Sequence, residues 1–121
     1  MIVKQKIKDH PWGRETIWAK TEKYAAKFLH IKEKMKLDKQ FHNHKAETVY
    51  VLYGTLVIEI GKDSEEIELR KGQSFHISPG SIHRYCSNFG EVDVIVVSNS
   101  ELEDVVKLKD ENHPFSYYLH K

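Results

Sequence analysis

Glycine and turn residues cut the middle of this chain into short segments, and that division constrains the fold more than any other feature. The runs YAAKFLHIKEKMKL, ETVYVLY, TLVIEIG, EEIELR, QSFHIS, SIHRYCS and EVDVIVVS are rich in Val, Ile, Tyr and Phe and often alternate polar with apolar residues. Runs of this kind at this spacing are the pattern of antiparallel strands in a sandwich or barrel. The breaks carry suitable turn chemistry: Gly54, GKDSE at 61–65, KGQ at 71–73, SPGS at 78–81 and NFGE at 88–91. An all-β domain is expected. In DHPWGRETIWAK, Pro11 biases His10 to an extended conformation, so the N-terminus reads as an extended arm feeding a strand. Trp12 and Trp18 read as packing residues, because a buried tryptophan hides roughly 150–250 Å² of surface. The segment ELEDVVKLKDEN follows two candidate N-caps, Ser98 and Ser100, and has acids in its first turn, which fits a short C-terminal helix or an extended tail.

The composition narrows the partners. A chain of 121 residues with 40% hydrophobic and 31% charged residues suits one domain, 1–121, with a modest core. Lys plus Arg number 19 against 18 for Asp plus Glu, so no large field draws the chain to nucleic acid or to an anionic membrane. No apolar run approaches the ~18 residues that cross a bilayer, and MIVKQKIKDH lacks the apolar core of a signal peptide, so a cytoplasmic location is expected. Cys86 is the only cysteine, which leaves any metal to histidine and carboxylate ligands.

Those ligand types crowd into HNHKAETVYVLYG, residues 42–54. On an extended KQFHNH, alternate residues share a face, which would bring Gln40, His42 and His44 to one side. The next acid, Glu47, follows KA, where a tight turn or bulge could return its carboxylate to the same point. Far along the chain, SPGSIHR delivers His83 just after a Pro-Gly turn. Three imidazoles and a carboxylate suit one divalent ion such as Zn, Mn, Fe, Ni or Co. On spacing alone, a pair of surface or core histidines with no metal fits equally well.

The second motif separates these readings. HNHKAETVYVLYG followed by KGQSFHISPGSIHRYCSN resembles the paired motifs of the cupin superfamily, with Gly54, Gly72, Pro79, Gly80 and Asn88 at the turn positions and both motifs inside residues 36–88. Within cupins the chain resembles the type II mannose-6-phosphate isomerase group. Its first motif, Q-x-H-x-H-[RK]-A-E, matches Gln40, His42, His44, Lys45, Ala46 and Glu47, and the close of its second matches Pro79, Gly80, His83 and Arg84. PWGRETIWAKTEKYAAKFLHIK and SNSELEDVVKLKDEN are similar to the group's opening and tail. The resemblance implies a cupin double-stranded β-helix, or jelly-roll barrel. It also implies a metal held by His42, His44, Glu47 and His83, with Gln40 as a possible further ligand.

The resemblance further implies isomerisation of a small-molecule substrate, a sugar phosphate or a nucleotide sugar. The chain departs from the group at Lys36, where a glycine is usual, and at ENHPFSYY, where the group ends in Y-G-R. An aldose-ketose isomerisation also needs groups that carry protons; Tyr53, Tyr85 and Lys45 are the candidates, with parity placing Tyr53 on the Glu47 side and Tyr85 with His83. Arg84, next to His83, would point away from the metal. The same ligands on the same fold also support a metal-dependent dioxygenase or a non-catalytic ligand-binding cupin. An apolar lining would favour the oxygenase. The N-terminal arm and the apolar VDVIVVS strand are expected to make a homodimer.

Overall fold

A computed structural model describes residues 1–101 and 104–108 of the chain. Its strands are β1 (Lys6–His10), β2 (Gly13–Lys20), β3 (Ala25–Ile31), β4 (Gln40–Phe41), β5 (Glu47–Tyr53), β6 (Thr55–Ile60), β7 (Glu65–Arg70), β8 (Ser74–Ile77), β9 (His83–Cys86), β10 (Val92–Ser98) and β11 (Val106–Lys107). They form two antiparallel sheets, one in the order β1-β2-β3-β10-β5-β8 and the other β11-β4-β9-β6-β7. No helix occurs among the described residues, in agreement with the all-β expectation.

Strand periodicity builds the core. In β10, Val92, Val94 and Val96 are buried while Asp93 and Ile95 turn to the other face, as a two-residue repeat requires. Val94 sits opposite Leu29 of β3 and Val51 of β5, and the second sheet closes the layer with Leu56, Ile58 and Tyr85. Burying a Val, Leu or Ile side chain is worth roughly 1.5–3 kcal/mol, so this layer supplies the main drive for holding the sheets together. Trp12 packs against the core, as expected of it, whereas Trp18 is exposed.

The predicted turns join the predicted strands, and one shows why glycine is needed. Gly54 links β5 to β6 at φ +80°, a conformation that side chains with a Cβ rarely adopt, and a Cβ there would stand 2.3 Å from the Glu91 carbonyl oxygen. On the outer face of the five-stranded sheet, buried Glu59 accepts from Lys36 Nζ at 3.0 Å and Arg84 Nε at 2.9 Å. Arg84 thus points away from the interior, as parity requires.

Both ends of the chain are extended where described, which selects the tail over the helix at the C-terminal end. The N-terminal arm is extended, but it doubles back through Pro11 and Trp12 into the hairpin β1–β2, because His10 pairs with Gly13 across a two-residue turn. It therefore extends its own sheet through the β2–β3 pairing. Within the C-terminal segment, Val106 and Lys107 form β11 and pair with β4, so the described part is extended and not helical. The rest of that segment, 102–103 and 109–121, lies outside the described residues.

Candidate metal centre

Three strand ends meet at one end of the barrel. β4 runs out at Phe41 and hands the chain to His42, Glu47 is the first residue of β5, and His83 is the first residue of β9. Gln40 pairs with His83 across β4 and β9, which brings the first motif beside the second. The ligand atoms of His42, Glu47 and His83 all lie within 4.8 Å of one another, and the residues are 1%, 3% and 0% exposed.

Hydrogen bonding fixes the state of both imidazoles. His42 Nδ1 donates to the Asp104 carbonyl at 2.7 Å, and His83 Nδ1 donates to the Ser81 carbonyl at 2.9 Å. A carbonyl only accepts, so in the neutral ring Nδ1 carries the proton and Nε2 presents its lone pair. Burial lowers the His83 pKa, against Glu47, and so favours this neutral form. Among the described residues neither Nε2 has a hydrogen-bond partner, although His42 Nε2 stands 3.0 Å from Glu47 Oε1 and His83 Nε2 stands 3.9 Å from Oε2. A buried polar atom without a partner is costly. Two such lone pairs aimed beside a carboxylate fit a divalent ion, whose N and O ligands at ~2.0–2.2 Å stand about 3 Å apart. The donor set therefore suits the metal that the sequence implies.

Glu47 is the hub. Burial opposes its ionisation, but the groups around it, the Lys45 ammonium and the Tyr85 hydroxyl among them, outweigh burial and hold the carboxyl below the usual range. The Tyr85 hydroxyl donates to Oε2, and burial, reinforced by Glu47, pushes its pKa well above that of a free phenol. Tyr85 is thus a protonated donor. Lys45 is 2% exposed with Nζ 3.6 Å from Glu47 Oε1, and burial pulls its ammonium below the usual lysine range, against Glu47.

A family model described as "Mannose-6-phosphate isomerase C-terminal" matches residues 3–110, most of the chain. The chain belongs to this family. The fold of this cupin is shared by KdgF from Halomonas sp., with a TM-score of 0.72 at 19% identity over 82% of this chain and 91% of that one. An RmlC-like cupin from Shewanella frigidimarina superposes at 0.71, 19% identical over 83% and 87% of the two chains. A Bacillus subtilis oxalate decarboxylase variant gives 0.75 at 15% identity, covering 88% of this chain and 31% of that longer one. No curated protein matches.

The structure places the other motif residues of this cupin less uniformly. His44 is exposed and outside the cluster, because β4 ends at Phe41 and the bend over 42–46 breaks the alternation that would have set it beside His42. Gln40 is half-buried and, with Glu47 and Tyr85, lines a cavity of about 270 Å³ that opens between the sheets. Tyr53 is exposed and outside this cavity: an irregularity in the β5–β10 register sets it opposite Asp93, on the other face of the sheet from Glu47. His10 and Trp12 stand in the cavity wall with ring centroids 4.5 Å apart and planes inclined by 7°. Glu15 stands there too; burial raises its pKa, but His10 and Lys27 bring it down to about 2.

Asp104 is the residue that motif reasoning passed over. Besides its carbonyl bond to His42, its carboxylate accepts the backbone N–H groups of Asn43 at 3.1 Å, His44 at 2.6 Å and Lys45 at 2.9 Å. The His44 N–H above all holds that carboxyl down at about 2. One acidic residue so fixes the loop that carries His42 and Lys45. Its only trace in the sequence is the family-like tail, SNSELEDVVKLKDEN. Asp104→Ala should weaken divalent-metal affinity by about 10- to 100-fold, the range for residues that orient ligands, while the fold survives. Competition against a chelator measures it, and unchanged affinity would remove Asp104 from the site.

Proposed function

We propose that this cupin is a metal-dependent isomerase of a sugar phosphate or nucleotide sugar, its metal held by His42, Glu47 and His83. Gln40 and the exposed His44 are the candidates for completing the set. The observation that carries this reading is the joining of that donor set to a charged cavity. Lys8, Lys27 and Lys107 line it against Glu15, Asp38 and Glu47, with Trp12, Leu29, Leu37 and Val105 as its apolar part. A wall rich in paired charges beside apolar patches supports a polar substrate such as a sugar.

A divalent ion bound there would polarise a substrate carbonyl as a Lewis acid. The chain's own residues supply the rest. Of the three proton-handling candidates, Tyr85 alone lines the cavity, so its Oη is the atom positioned to give a proton to a substrate oxygen and recover it. Glu47 Oε2 orients that hydroxyl by accepting its hydrogen bond. Lys45 sits behind the wall and braces Glu47 Oε1 without reaching the cavity. The paired rings of His10 and Trp12 offer a flat apolar surface to the C–H face of a sugar.

The homodimer belongs to this proposal. Ile7, Thr16, Phe28, Ile95 and Tyr50 form one cross-strand row on the outer face of the six-stranded sheet. Ile7, Trp18, Tyr50 and Val97 are exposed there, and a second copy would cover them. A monomer by light scattering at micromolar concentration would contradict it. A cytoplasmic location is likewise part of the proposal; among the described residues no helix is long and apolar enough to cross a membrane.

Tyr85→Phe keeps the ring in the core and removes the hydroxyl. Its kcat for aldose-ketose interconversion should fall by roughly 10²-fold or more with metal content unchanged. Full activity in this variant would exclude Tyr85 from proton transfer, and no turnover of any sugar phosphate or nucleotide sugar by the metal-loaded wild type would overturn the isomerase.

A further inference from the structure

Beside the metal cavity lies a second one, of about 310 Å³, lined by Lys4, Lys6, Lys8, Lys20, Lys27 and one acid, Glu15. Five ammonium groups around one carboxylate are a strong local excess in a chain whose net charge is only +1. The strand register explains how they gather. Lys6 faces Ile17 and Lys8 faces Glu15 across β1 and β2, while Ile17 faces Lys27 and Glu15 faces Leu29 across β2 and β3. Residues opposite one another share a face, so these lysines stand on the inner side of the sheet that also carries Leu29 and Glu47.

Among the described residues their charges are not cancelled. Lys27 pairs with Glu15 at 3.2 Å, and Glu15 also takes His10 at 2.9 Å, so its one carboxylate is already shared. Lys20 donates to the Ser100 carbonyl. Lys4, Lys6 and Lys8 have no ion-pair partner among the described residues. Lysines on an edge strand also discourage pairing with a second sheet, but that purpose does not call for Lys27 on β3 or for a wall shared with the metal cavity. Lys8, Glu15 and Lys27 line both spaces, so the two adjoin along these side chains.

We propose that this lysine-lined groove is an anion site that takes the diphosphate of a nucleotide sugar, with the sugar reaching into the metal cavity. The stretch from Lys4 to Lys8 covers about 13 Å at ~3.3 Å per residue, longer than a single phosphate group needs and suited to two phosphates in a row. The identity of the reacting end rests on the isomerase reading; the ligand class of the groove does not.

Inorganic pyrophosphate and inorganic phosphate, titrated calorimetrically into the metal-loaded protein, are the probes. Pyrophosphate should bind about tenfold tighter than phosphate, and more weakly as salt is raised. Lys6→Gln with Lys8→Gln should lower pyrophosphate affinity by about tenfold or more, and Lys6→Arg with Lys8→Arg should keep it, because both positions are exposed and only the charge differs. Wild type stripped of metal by a chelator should keep that affinity. Equal affinity in the Gln variant, or loss on metal removal, would overturn the groove, the latter by putting the anion on the metal. A failed isomerase assay with the pyrophosphate results intact would sink the catalytic reading and leave the groove standing.

Discussion

The hydrogen bond from His42 Nδ1 to the Asp104 carbonyl joins the C-terminal segment to the loop that carries the site, and His83 makes the same kind of bond to Ser81. Both bonds spend the Nδ1 proton on a backbone acceptor and leave Nε2 as a lone pair inside a cluster with no hydrogen-bond partner for it. Much of the surrounding structure serves that arrangement. β11 pairs with β4 and so holds Asp104 near His42. β4 pairs with β9 and brings Gln40 to His83. Glu47, anchored at the start of β5, gathers His42, Lys45 and Tyr85 around one carboxylate.

Such a cluster would be expensive as a purely structural device. A buried carboxylate with a buried lysine is stable only when the geometry satisfies both, and apolar residues of similar volume often do as well or better. Here Glu47 and its partner Tyr85 line a cavity that also carries charged side chains. The polar groups therefore lie where they can meet a ligand. The lysine groove adjoins this cavity through Lys8, Glu15 and Lys27 on the same inner face.

What the sequence made legible follows from which interactions leave a local pattern. The β-strands were readable because alternation is written residue by residue in VDVIVVS and ETVYVLY, and their ends because Gly54 and the SPGS turn need particular backbone conformations. The paired motifs pointed to His42, Glu47 and His83, whose ligand atoms the structure brings within 4.8 Å of one another. His44 lies outside that cluster because the strand stops at Phe41 and the chain bends. Tyr53 was given the wrong face, since simple parity along β5 misses the register irregularity that sets it opposite Asp93. Asp104 and the β1–β2 hairpin depend on pairings set by tertiary structure. The hydrogen bonds of Asp104 span some sixty residues and leave no spacing to read. The lysines of β1 look like a solvated charge run until the register shows which face they share.

The central claim is that His42, Glu47 and His83 form one metal site whose two imidazoles act through Nε2. Elemental analysis of the wild type, His83→Ala and His44→Ala, each incubated with excess divalent ions and then desalted, tests it most directly. The account predicts about one equivalent of metal in the wild type, none in His83→Ala, and substantial retention in His44→Ala, because one buried ligand of three is lost in the first variant and only an exposed ring in the second. Full metal retention in His83→Ala, or none in the wild type, would contradict it.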